Sequence, residues 1–156
     1  MNEVKEYTKK VFEDIKHIDE ENNEYWLARE LGKILEYGEY RKFLPSIKKA
    51  MISCEKSEQN VENHFAQMDV MVNIGSNAKR KLKDYRLTRY ACYLIVQNSD
   101  SSKPVVALGQ TYFAIQTRKQ ELSELEYNNL TEDEKRLYRR NQARKGNFNL
   151  NKTIVE

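Results

Sequence analysis

Apolar positions in this chain recur in short periodic runs between polar breaks, and the clearest runs lie within residues 84–122. Leu87, Tyr90, Ala91, Leu94 and Ile95 follow the spacing of one face of an amphipathic helix. Residues 98–102, NSDSS, form a turn-prone break. Pro104 then suits a first helical turn, where its missing N–H would be unpaired anyway. Val105, Leu108, Tyr112 and Ile115 make a second stripe, widened by Val106, Gly109 and Phe113. Two such helices bury their faces only by packing on each other and on the rest of the chain. The pattern therefore predicts Leu94, Ile95, Leu108, Tyr112 and Phe113 to be buried and mutually close.

The remaining elements read in order. Residues 1–20 carry Val4, Tyr7, Val11 and Ile15 at helical spacing, while residues 12–18 also suit the first strand of a hairpin. The partner strand would be residues 25–28, with the turn at residues 19–23, and the residues leave helix and hairpin open. Leu27, Leu31, Ile34 and Leu35 share a helical face, and Gly38 predicts the C-cap. Tyr40, Phe43, Ile47, Ala50, Met51 and Cys54 outline the next helix, with Pro45 expected near its start or at a kink. Any αα-hairpin shows this pattern, so a helix-turn-helix reading is weak, and Arg41, Lys42, Lys48 and Lys49 suit a solvated face. Ser57 is the expected N-cap of a short helix carrying Val61 and Phe65. Val70, Val72 and Ile74 alternate as in a strand, Gly75, Ser76 and Asn77 predict a turn, and residues 79–85 a returning strand or arm. Beyond Leu122 the chain is charged and helix-prone, and Thr131 with Glu134 forms a capping-box pattern. Leu130, Leu137 and Phe148 are expected to dock on a second copy or on a further domain, since a helix with sparse leucines is marginal alone.

The runs DYRLTRYACYLIVQN and KPVVALGQTYFAIQTRKQEL resemble the signature of the bacterial DNA-damage-inducible protein D family. That family carries a Bro-N domain, as many phage antirepressors do, and the resemblance extends over residues 7–140. It favours the first hairpin and implies an α+β fold: a mainly helical Bro-N-like domain with a small antiparallel sheet from two hairpins. The expected layout is a Bro-N-like domain at residues 1–122 and a charged helical extension and tail at 123–156. Chains of the family continue further, which implies either an N-terminal part or a short relative. The family is induced in the DNA-damage response and inhibits RecA, the recombinase filament on single-stranded DNA. The resemblance thus implies a non-enzymatic regulator that binds RecA filaments, single- or double-stranded DNA, or both, and blocks strand exchange. Two other classes compete: a phage-derived antirepressor or transcription regulator, and a nuclease-like enzyme of a mobile or defence element.

Charge sharpens the picture only through its distribution. Lys and Arg number 27 against 24 Asp and Glu, a net +3 that neither demands nor excludes nucleic acid. Two clusters stand out. Lys79, Arg80, Lys81, Lys83, Arg86 and Arg89 face only Asp84 in sequence, and Lys135, Arg136, Arg139, Arg140, Arg144 and Lys145 have no acid between them. Basic side chains neutralise phosphates, and the interleaved Tyr85, Tyr90 and Tyr138 could stack on bases, though Tyr90 reads better as a core anchor. A turn near Gly75 would hold Lys79, Arg80 and Lys81 away from the core, exposed to an anionic partner. No Gly-rich phosphate loop, nucleophile elbow or metal-spaced Cys or His pair occurs, so no catalytic residue, metal or cofactor is expected. Cys54 and Cys92 lie on apolar stripes and read as buried free thiols of a reducing cytoplasm. No apolar run is long enough to span a bilayer, so no membrane partner is expected.

Overall fold

In the computed structural model, which describes residues 7 and 9–144, the first hairpin closes around Asp19. Its Oδ1 accepts from the Glu21 and Asn23 amides at 2.9 and 2.8 Å, and Asn22 turns the chain at φ 67°. Strands β1 (His17–Ile18) and β2 (Glu24–Leu27) pair antiparallel across it. Both open readings of the N-terminal region describe part of it. Phe12 sits in a wide π-type helical turn, Lys9–Glu13, while only His17 and Ile18 are strand. Trp26, fully buried on β2, donates its indole N–H to the Phe12 carbonyl at 2.8 Å and ties the two together.

Helix α1 (Ala28–Ile34) follows β2 directly and buries Ala28 and Leu31. Its end is not made by Gly38. Glu36 takes the left-handed position at φ 65°, and the Glu36 and Tyr37 amides return to Lys33 and Gly32 carbonyls at 3.0 and 2.9 Å. That is a Schellman closure with glutamate where glycine is the easier residue. Helix α2 (Tyr40–Lys56) buries Phe43, Ile47, Ala50 and Cys54 along its expected stripe, and Pro45 lies inside it. It closes the same way, with Glu58 at φ 65°. Ser57 is therefore a C-cap rather than an N-cap: its hydroxyl donates back to the Ser53 carbonyl at 2.8 Å. Asn60 caps the one-turn α3 (Val61–His64) instead, accepting from the Asn63 amide.

Strands β3 (Phe65–Gly75) and β4 (Ala78–Leu87) form the second hairpin. The four strands make one antiparallel sheet in the order β1-β2-β4-β3. Thr88 then caps α4 (Arg89–Gln97), and α5 (Pro104–Asn128) begins at the expected proline. Helix α6 (Glu132–Arg144) opens on the capping box: the Thr131 amide donates to Glu134 Oε1 at 2.9 Å, and the Glu134 amide to Thr131 Oγ1 at 3.2 Å. The architecture is α+β, helical in the main, with a small sheet from two hairpins.

The chain divides into two compact units, Met1–Gln110 and Thr111–Glu156. In the first, α4 presents Ala91, Cys92, Ile95 and Val96 to the core, and Leu94 is only half-buried. The helix is turned from the expected register because its sequence, YACYLIV, is apolar almost all round, so periodicity could not single out one face. On α5 the buried positions are Val106 and Gly109, while Leu108, Tyr112 and Phe113 are half-buried. Gly109 is required there: a Cβ would meet the Tyr7 phenol and Val96 Cγ1. Cys54 and Cys92 are free and buried, and burial raises both thiol pKa values. In the second unit, Tyr112 and Phe113 rings lie 5.3 Å apart, and Tyr127 and Tyr138 rings 5.4 Å apart.

Candidate nucleic-acid interface

The β3–β4 hairpin is built as a projecting ribbon. Residues Phe65 to Asn73 pair rung by rung with Leu87 to Lys79, but β2 reaches only Leu87 and Arg86. Beyond those two rungs no third strand among the described residues supports the pair. The turn is tight: Ser76 and Asn77 have φ 46° and 65°, the two-residue geometry whose twist matches flanking strands. Gly75, at φ 109°, takes a conformation closed to other residues. The ladder is irregular between Asn73 and Gly75, so Ile74 has no opposite residue.

The base of the ribbon is clamped to the body. Asp84, buried, accepts from the Arg29 and Tyr85 amides at 3.1 and 2.8 Å. Burial raises its pKa, and those two hydrogen bonds only partly offset the effect. Arg29 Nε donates to the Lys83 carbonyl at 2.9 Å, and Lys48 Nζ to Tyr85 Oη at 2.8 Å. Burial pushes the Tyr85 phenol up, but hydrogen bonds from Gln67 and Lys48 outweigh it and leave it below its ordinary value. Behind the clamp, His64 Nδ1 and Thr88 Oγ1 are 2.7 Å apart, joining the residues that flank the two strands.

Strand alternation sorts the outer side chains into two faces. Lys79, Lys81 and Lys83 share one with Asp69, Met71 and Asn73. Arg80 and Leu82 share the other with Val70 and Val72. Lys79, Arg80, Lys81 and Lys83 are all exposed. Lys81 reaches Asp69 at 3.3 Å, a surface pair of little energetic weight. Lys79, Arg80 and Lys83 have no ion pair among the described residues. All four lie on β4, the returning strand that the sequence predicts.

The last two arginines of the first basic run are paired with acids of the protein itself. Arg86 Nη2 binds Asp19 Oδ2 at 2.6 Å, and its guanidinium lies 4.0 Å over the Tyr25 ring. Arg89 is withdrawn from the surface altogether. It is 7% exposed, and Nε and Nη2 meet Glu24 at 2.9 and 3.0 Å while Nη2 also meets Glu13 at 3.1 Å. Burial works against its charge, yet the Glu24 hydrogen bonds overturn that and raise its pKa. Tyr90 is half-buried, its ring tilted at 59° against His64 with centroids 4.6 Å apart, so it is a packing residue at the edge of the core.

In the second cluster, Lys135 and Arg136 pair with Glu132 and Asp133 at 3.8 and 3.4 Å. The neutralising acids stand one turn ahead, in the capping segment. Lys135 also lies 5.4 Å over the Tyr127 ring, and Arg139 and Arg140 are exposed. Leu122, Leu125 and Leu137 are exposed apolar residues of that unit. The Arg144 side chain, Lys145 and Phe148 lie outside the described residues. Among the described residues no group of His, Cys, Asp and Glu could hold a metal ion, and no helix is long and apolar enough to cross a membrane.

Sequence reasoning missed the clamp residues Arg29 and Lys48, which only the folded register brings to the ribbon. It also missed the exposure of Met71 and Ile74, at 59% and 62%.

The chain is 55% identical over 140 residues to the DNA damage-inducible protein D of Escherichia coli (strain K12), covering 89% of this chain and 51% of that protein. It thus spans about half the length of that relative. No solved structure matches. Residues 14–114, which hold the sheet, the ribbon and the helices around Arg89, match the model of the BRO family, N-terminal domain, and the chain belongs to that family.

Proposed function

We propose that this chain is a non-enzymatic regulator of the DNA-damage response that grips DNA, or the RecA filament assembled on it, through the β3–β4 ribbon and blocks strand exchange. The observation that carries the reading is the ribbon itself: Lys79, Arg80 and Lys83 stand exposed, without ion pairs among the described residues, on a two-stranded arm anchored at Asp84. Cations held away from carboxylates keep their field for an outside anion, and phosphate contacts give binding that falls steeply with salt. The 55% identity to a DNA damage-inducible protein supports the cellular setting. Arg139 and Arg140 offer a second contact, and the exposed Leu122, Leu125 and Leu137 offer apolar groups for a second copy.

The test is a strand-exchange reaction with RecA, run alongside pull-down on filaments and on bare single- and double-stranded DNA. Inhibition by the wild-type chain, lost when Lys79, Arg80, Lys81 and Lys83 are changed to alanine, is the expected result. Full inhibition by that variant would remove the ribbon from the mechanism. Metal-dependent cleavage of the DNA would replace the regulator with a nuclease.

A further inference from the structure

Ile74 is the residue the ribbon's architecture leaves unexplained. It follows the last regular rung, sits at the irregularity before the turn, and is 62% exposed. A β-branched aliphatic group at the end of a cationic arm is poorly placed for solubility. It is well placed for insertion, because its χ1 is already restricted and little rotamer freedom is lost on burial. Ile74 lies between the Asn73–Lys79 and Gly75–Ala78 pairs, next to the last regular rungs, where Val72 faces Arg80 and Asn73 faces Lys79.

We infer that Ile74 is a wedge that enters a base step of duplex DNA, with Arg80 entering the groove beside it and Lys79, Lys81 and Lys83 on the flanking phosphates. The inference rests on the proposed role of the ribbon in binding nucleic acid and deepens it by choosing the duplex. Three observations make the choice. Residues 66–84 contain no Phe, Tyr or Trp, so the arm lacks the stacking platforms that hold unpaired bases. Its tip instead presents an aliphatic side chain of the kind that unstacks a step from the minor groove and kinks the helix. Arginine is the side chain drawn to a narrow groove, and Arg80 has no ion pair among the described residues. An unstacking wedge favours sites where stacking is already weak, such as a mismatch or a pyrimidine–purine step.

The experiment uses a duplex labelled for end-to-end energy transfer and carrying 2-aminopurine, in matched and single-mismatch forms, beside a single strand of equal length. Wild-type protein should bend the duplex, brighten 2-aminopurine and bind the mismatched duplex about tenfold more tightly than the matched one. Ile74→Ala should keep matched-duplex affinity within about threefold, because the phosphate contacts remain, but lose the bend, the fluorescence rise and the mismatch preference. Ile74→Met should keep all three. Unchanged bending and mismatch preference in Ile74→Ala, or tighter binding to the single strand than to either duplex, overturns the wedge and leaves the ribbon's wider role standing. Loss of no affinity on changing Lys79, Arg80, Lys81 and Lys83 overturns both. Circular dichroism of each variant shows that the fold is retained, as expected for a residue this exposed.

Discussion

Two ends of one basic run meet opposite fates. Arg80 and Arg89 are nine residues apart in sequence, yet Arg80 stands exposed on the ribbon while Arg89 is buried among Glu13, Glu24 and the Trp26 ring. The difference lies in where acids arrive from. The carboxylates that consume Arg86 and Arg89 come from Asp19, Glu13 and Glu24, all in the first hairpin region and distant in sequence. The outer ribbon extends past that supply, with only Asp69 at hand. Counting charges along a sequence measures the sum; the fold decides which charges remain available.

The largest effect expected from breaking this contrast is structural. Arg89→Ala strips the partly covered Glu24 of its ion pair and leaves Glu13 with Lys16 alone, and should cost about 3 kcal/mol of stability, measured by chemical denaturation. Binding by the remaining folded protein should be unaffected. At the other end, Lys79→Ala, Arg80→Ala, Lys81→Ala and Lys83→Ala combined should leave stability nearly unchanged and weaken DNA binding about a hundredfold at moderate salt. Its log–log salt slope should flatten by roughly 3 to 4. A melting shift as large as that of Arg89→Ala would mean that these side chains support the fold.

A smaller, pH-dependent effect sharpens the boundary between the two ends. Burial lowers the His64 pKa below its ordinary 6.5, so the unfolded chain takes up the proton first as pH falls. The stability from neutral His64 is complete above that value and is lost as pH drops through it toward the folded value. Melting temperature should therefore fall between pH 7 and pH 5. His64→Asn, which keeps a partner for Thr88 without titrating, should reduce that slope. Smallest of all is the change expected from Lys135→Ala with Arg136→Ala. Both side chains already have acidic partners within one turn, so DNA affinity should move by less than about threefold.

Much of the fold was legible because local signals agreed. Asp19 and Asn23 marked the first turn, the alternation of Val70, Val72 and Ile74 marked β3, and Thr131 with Glu134 marked the start of α6. Helix ends were misread where the chain departs from the usual residue: Glu36 and Glu58 take left-handed positions that glycine ordinarily fills, so Gly38 and Ser57 drew attention instead. The register of α4 was hidden by apolar residues on every side. At the candidate site, exposure of Lys79, Arg80 and Lys81 followed from the turn, but the burial of Arg89 depends on Glu13 and Glu24, which no short-range pattern connects to it. Ile74 was read as an ordinary strand residue because a ladder irregularity leaves no signature in the hydrophobic period.

Strand β3 also forms an edge of the sheet, eleven residues long and alternating in polarity. Such an edge is a template for pairing with another chain, and self-association through it is the ordinary hazard. The irregularity at Ile74 interrupts the template at its outer end, and the lysines of β4 repel an approaching copy of the same ribbon. The charges read here as a grip on DNA are thus also the protein's guard against edge-to-edge aggregation. Neutralising them should raise turbidity at high protein concentration even where the melting curve is unchanged.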